Sequence, residues 1–225
     1  MKTAFFIDGA FYLKRLRSLK RANQTGKEAV DALVGLVAAH LTQLNRNDFH
    51  LFRILVYDCP PLSKKTNLPI THTAHDFAKM ETFVFRSAFH EHLRLARKVA
   101  LRLGRLNAQY GEWKLKPEAL KELRNKKRLF ADVTDNDFDF DVGQKGADMR
   151  LGLDIASIAI RRLVDQMVLV AGDSDFVPAA KTARREDIDF ILDPMGAPVP
   201  ADLRENVDGV QSVIEQVPAP PPPPL

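Results

Sequence analysis

Three short apolar runs in this chain each end on an aspartate, and that repeated ending limits the possible folds more than any other feature. TAFFI, residues 3–7, runs into Asp8 and Gly9; LFRILVY, 51–57, runs into Asp58; MVLVA, 167–171, runs through Gly172 into Asp173 and Asp175. Short runs rich in Val, Ile, Leu and Phe fit strands buried on both faces. Helical spacing follows the first and third. AFYLKRLRSL comes after the first and DFVPAAKTARRE after the third. A further helix is predicted at 27–44, with Val30, Leu33, Val34, Val37, Leu41 and Leu44 on one face. Strands alternating with helices imply an α/β fold, with a parallel sheet covered on both sides. In such a sheet the carboxyl ends of the strands share an edge, and ligands bind beyond it. Asp8, Asp58, Asp173 and Asp175 are therefore expected on one side of the molecule.

The intervening sequence is read more coarsely. Residues 59–69 hold three prolines and an asparagine and read as a loop. Residues 72–98 read as an amphipathic helix. VALRLGRL, 99–106, reads as a strand, because Gly104 would weaken a helix. Residues 117–128 read as a helix with Pro at its start and bases at its end. Residues 131–144 read as a solvated acidic loop. Residues 147–163 read as a helix apolar on more than one side, and so well buried. The expected organisation is one domain over 1–215 with a basic helical insertion around 70–130. A proline tail follows at 216–225, either extended and disordered or a ligand for a proline-reading protein.

Composition sets limits. A chain of 225 residues, 45% hydrophobic, is enough for one good-sized core. No apolar run reaches the roughly 18 residues that span a bilayer. Asp8 interrupts the N-terminal apolar run and no small-residue cleavage site follows, so a signal peptide is not expected and a cytoplasmic location is. A single cysteine, Cys59, excludes an internal disulfide and a cysteine-based zinc site. The net charge of +4 is unevenly spread: residues 93–130 hold twelve Lys/Arg against three Glu, and residues 131–141 hold five Asp and no base. A basic tract of this kind suits a polyanion surface, or else an ordinary solvated helix face.

A further acid, Asp148, opens the 147–163 helix just after Lys145 and Gly146. Carboxylates gathered at one edge repel unless a positive group holds them. Hard cations such as Mg²⁺ and Mn²⁺ take oxygen ligands, and phosphodiester hydrolysis uses such sites. His72, His75, His90 and His92 show no ligand spacing and read as surface or helix positions, which argues against zinc. Taken singly, each acid has a plainer reading. Ser174 or Asp175 fits a helix cap, Asp8-Gly9 fits a turn, and Asp58 fits a loop.

The blocks FFIDGAF, QKGADMRLGLD and VLVAGDSDFVPAAKTAR, in this order, resemble the signature blocks of the NYN domain, a branch of the PIN-like nucleases. VALRLGRLNAQYGEW resembles a segment of its bacterial, LabA-like members. The resemblance runs from about residue 3 to 210. It implies a three-layer α/β/α fold with a mainly parallel, PIN-like sheet, and a Mg²⁺- or Mn²⁺-dependent ribonuclease. By motif position Asp8, Asp148 and Asp173 would be the core metal-binding acids, completed or supported by Asp175. Many members carry an asparagine shortly after the first Asp-Gly; Phe11 stands near that place here. Lys145 would touch a phosphate or orient its loop. Arg94, Arg97, Lys98, Arg102, Arg105, Lys126, Lys127 and Arg128 would form a track for RNA backbone. Tyr110 and Trp113 would stack on bases, or Trp113 would serve as core. The implied partner is RNA, with DNA, a second copy of the chain and a proline-reading protein as further candidates. Two other readings stay open. One is a nucleic-acid or protein adaptor that keeps the fold and does little chemistry. The other is a haloacid-dehalogenase-like phosphatase, which needs a second Asp two residues after the first, where Ala10 stands.

Overall fold

The computed structural model describes residues 1–19, 25–43 and 50–214. The proline tail and Leu44 lie outside the described residues. In chain order the elements are β1 (Lys2–Asp8), α1 (Gly9–Ser18), α2 (Gly26–Gln43), β2 (His50–Asp58), β3 (Lys65–Asn67), β4 (Ala74–Asp76), α3 (Glu81–Leu95), β5 (Val99–Leu103), β6 (Arg105–Leu106), β7 (Glu112–Leu115), α4 (Pro117–Arg124), β8 (Phe138–Asp141), β9 (Gln144–Lys145), α5 (Ala147–Ile160), β10 (Gln166–Val170), α6 (Val177–Arg185), β11 (Asp189–Asp193), α7 (Ala201–Glu205) and β12 (Gly209–Val210).

Six strands form one sheet in the order β12-β11-β10-β1-β2-β5, and every pairing in it is parallel. The chain runs outward from β1 through β2 to β5. It then returns to β10 on the other side of β1 and runs outward again. The order therefore reverses between β1 and β10, the place where doubly wound sheets open a crevice for ligands. The register Ile7↔Val170 sets Asp8 and the loop after β10 side by side there.

Strand alternation feeds two cores. Phe5, Ile7, Ile54, Val56, Val168 and Val170 face one side and meet Tyr12, Leu33, Leu36, Phe89 and Leu93 from α1, α2 and α3. Ala4, Phe6, Leu55, Tyr57, Met167 and Leu169 face the other and meet Leu151, Ile155, Ala180 and Ala183 from α5 and α6. The result is the expected three-layer α/β/α fold.

Several local readings are corrected. The helix expected at 72–98 begins only at Glu81; residues 74–76 are β4, paired with β3 inside the expected 59–69 loop. Val34, expected on the apolar face of α2, is 44% exposed. Within the stretch read as a basic insertion, α3 packs into the main core and β5 is the edge strand of the main sheet. The acidic run is not a free loop. Its FDFD alternation is β8, paired with β7, and bases of the adjacent tract take its charges: Lys114 with Asp141 at 2.6 Å, Lys116 with Asp139 at 3.8 Å, and Arg128 with Asp137 at 2.6 Å. Asp135 accepts from the Thr71 hydroxyl at 2.6 Å and from the Ile70 amide at 2.8 Å. Between these ribbons Trp113 packs on His75, Phe77 and Phe140 and donates its indole N–H to the Asn67 carbonyl at 2.8 Å. Trp113 is half-buried against these rings, while Tyr110 is 74% exposed.

The largest departure is α5. Leu151, Ile155 and Ala159 are buried, but Met149, Leu153 and Ile160 are 71%, 62% and 62% exposed. A helix lying on one face of a sheet buries one stripe only.

Candidate metal and phosphate site

Asp8 ends β1 and caps α1, its Oδ1 accepting the Phe11 amide at 3.0 Å. Asp173 caps the short turn 174–176, its Oδ1 accepting the Asp175 amide at 3.0 Å. Each carboxylate spends one oxygen on the backbone and keeps the other. Asp148 sits in the first turn of α5. Gly146 before it has φ +84°, a left-handed conformation that glycine adopts freely, and this turns the chain from β9 into the helix. The Phe11 ring lies against Gly172.

Asp8, Asp148 and Asp173 line one pocket of about 150 Å³, together with Tyr57, Asp58, Lys145 and Phe176. Asp175 faces a neighbouring apolar groove between α5 and α6, which shares Asp148 and Phe176 with the pocket. Neither Ser174 nor Asp175 caps α6, and Asp8 is a helix cap where a turn was the plainer reading; Asp8 and Asp173 are both caps and pocket residues.

Electrostatics record the crowding. Burial pushes the Asp8 carboxyl up to about 6, with the Phe11 amide opposing and the charges of Asp148 and Asp58 adding to the rise. Asp148 is also raised, by partial loss of hydration around its carboxyl and by Asp173 and Asp175, although the residue as a whole is exposed. Among the described residues no three His, Cys, Asp or Glu groups stand close enough to enclose an ion as they are. The donor set nevertheless fits a hard cation: all carboxylate oxygens, two of them pre-oriented by backbone amides and mutually repelling without a positive charge.

Asp58, read from sequence as a loop residue, is instead the buried end of β2. It is bound to Arg86, to His90 Nε2 at 2.7 Å and to the Cys59 amide at 2.9 Å. His90 is 2% exposed, not a surface residue. Burial would raise the Asp58 carboxyl, but His90 and Arg86 together hold it below its ordinary range. Arg86 has no role in the sequence reading, and His90 enters it only as a surface or helix position. The available signal was their four-residue spacing beside the buried Phe89 and Leu93. Two further supports were missed. The Tyr57 hydroxyl in the pocket wall donates to Asp154 at 2.8 Å, and the Ser174 hydroxyl donates to Asp202 at 2.7 Å.

The expected basic track divides. Lys98 donates to the Leu51 carbonyl at 3.0 Å, Arg102 lies 3.5 Å from Asp154, and Arg128 is held by Asp137. Arg94, Arg97, Arg105, Lys126, Lys127 and Lys145 are exposed, and no ion pair or side-chain hydrogen bond holds them among the described residues.

Acids at the reversal point of a doubly wound sheet, with a lysine on the pocket wall, define a site suited to phosphate chemistry. The NYN domain family matches residues 67–212, well over half of the chain, and the chain belongs to that family, a branch of the PIN-like nucleases that are generally metal-dependent ribonucleases. The matched span contains Lys145, Asp148, Asp173 and Asp175, and Asp8 joins them through the sheet. No curated protein matches the chain significantly. No helix among the described residues is long and apolar enough to cross a membrane.

Proposed function

We propose that this protein is a Mg²⁺- or Mn²⁺-dependent endoribonuclease, acting as one domain over 1–215 in the cytoplasm. The observation that carries the reading is the meeting of Asp8, Asp148 and Asp173 with Lys145 in one pocket, from three points distant in the chain. Asp8, Asp148 and Asp173 would hold the ion and Asp175 would support them. When bound, such a cation lowers the pKa of its water and offsets charge on phosphorus and the leaving oxygen. The chain's own contribution is orientation. The Phe11 and Asp175 amides fix one oxygen of Asp8 and of Asp173, leaving the other to face the pocket. Lys145 and the partnerless bases beyond it would bind phosphates of the strand on either side of the one at the acids.

The test is cleavage of labelled single-stranded RNA, structured RNA and single-stranded DNA with Mn²⁺, Mg²⁺ or EDTA, beside Asp173→Asn. Metal-dependent cleavage absent from the variant is expected, with RNA preferred. The exposed stripe of Met149, Leu153 and Ile160 favours a second reading, an adaptor that binds without cutting. Tight RNA binding with no cleavage under any metal would select it.

A further inference from the structure

The ribbon of β6 and β9 beside the pocket is built in an unusual way. Its register sets Arg105 directly opposite Lys145, and Leu106 opposite Gln144. Residues directly opposite on an antiparallel pair project to the same face, and like charges so placed destabilise the pair. Both side chains are exposed, and neither has an ion pair or a side-chain hydrogen bond among the described residues. In the β7–β8 ribbon Glu112 likewise stands opposite Asp141, but there a base bridges the like charges: Lys114 lies 3.3 Å from Glu112 and 2.6 Å from Asp141.

The ribbon is also firmly mounted. The Gly104 amide donates to the Asp58 carbonyl at 2.7 Å, and the Cys59 thiol lies 3.9 Å from the Arg105 carbonyl. At Gly104 an added Cβ would come within 2.7 Å of the Lys145 carbonyl and 3.0 Å of the Ala147 amide. That contact locks the ribbon against the start of α5, where Asp148 stands. Arg150 of α5 holds the Leu103 carbonyl from the other side. The backbone that carries these two unneutralised bases is therefore held against the start of α5, and one of the bases lines the pocket.

We infer that Arg105 and Lys145 form a two-point clamp for the backbone of a single-stranded polynucleotide, gripping phosphates that flank the one at the acids. The inference rests on the reading of the acid pocket as a phosphodiester site. It adds that the chain selects polymers over isolated phosphodiesters, because the clamp engages phosphates that a monomeric ester lacks. Repulsion between the two bases is relieved when phosphate lies between them.

The test compares the full chain with Arg105→Gln, Lys145→Gln, the double variant and Arg185→Gln, a control at the opposite end of the sheet. Binding of a labelled single-stranded RNA is measured in EDTA against salt concentration. Each phosphate contact on a single strand contributes about 0.7 to the slope of log affinity against log salt, so the double variant is expected to lose about 1.4. Arg185→Gln should keep the native slope. In Mn²⁺, the double variant should raise KM for RNA at least tenfold more than it changes kcat. Its loss on RNA should exceed its loss on bis(p-nitrophenyl) phosphate at least tenfold. An unchanged slope and an unchanged KM would overturn the clamp while RNA cleavage kept the nuclease reading. Equal losses on both substrates would also overturn it, placing the two bases at the reacting phosphate. A reduced slope in a protein that hydrolyses neither substrate would uphold the clamp and remove the nuclease reading.

Discussion

At Asp8 two requirements conflict. The carboxyl is needed as an anion for a cation to bind, yet burial and neighbouring acids push it up to about 6. With the folded value above the ordinary 3.8, the folded protein without metal binds more protons than the unfolded chain between about pH 4 and 6. Its stability therefore falls as pH rises through that window. Asp8→Asn removes this dependence. Relative to the native chain the metal-free variant should gain nothing near pH 4 and roughly 2–3 kcal/mol at pH 7, read from urea unfolding at both pH values, while RNA cleavage is abolished. Asp58 has the opposite sign: its depressed carboxyl contributes stability at neutral pH that is lost as pH falls through its folded value. His90→Leu leaves that buried carboxylate with only Arg86 and the Cys59 amide, and should cost roughly 3 kcal/mol in urea unfolding at pH 7. The acids were legible because each closes a strand or opens a helix, and strand ends can be read locally. The Asp58 pairings, and the buried contact of His40 with Asp193 at 2.9 Å, were not. They join residues 28 to 153 positions apart, and no local pattern announces such a partner.

Among the elements, α5 shows best what periodicity reads and what it misses. The sequence marks it as apolar on more than one side, and the structure buries only one stripe. Leu151→Ala should cost about 2–5 kcal/mol, as expected for a filled core position. Leu153→Ala, two residues further along the same helix, should stay within about 0.5 kcal/mol. Thermal melts of the two variants would distinguish a one-sided helix from a buried one. Gly146→Ala should cost about 1–2 kcal/mol, because its left-handed turn is unfavourable for any residue with a Cβ. For β8 the evidence was in plain sight: FDFD alternates with the strand period, but the density of aspartates suggested solvent. The charge balance that makes it a strand lies in Lys114, Lys116 and Arg128, up to 27 residues earlier.

For the whole molecule, the sheet order decides where the site can be. Strands one and ten are neighbours at the centre, so Asp8 and the loop bearing Asp173 meet at the reversal point, and the start of α5 brings in Asp148. The doubly wound class was legible from strand–helix alternation. The order of strands was not, since alternation is the same for many windings. If the pocket binds metal, Mn²⁺ at a hundred times its dissociation constant should stabilise the fold by about 2.7 kcal/mol, roughly 5–10 °C in Tm. Asp173→Asn should show little of that shift, whether or not the protein cuts RNA. The central place of β1 has one more consequence, for the making of the protein. In order of synthesis Asp8 precedes its partners Asp148 and Asp173 by 140 and 165 residues. A chain translated only as far as α4 would hold Asp8 without Asp148 or Asp173, so the pocket would close late in synthesis.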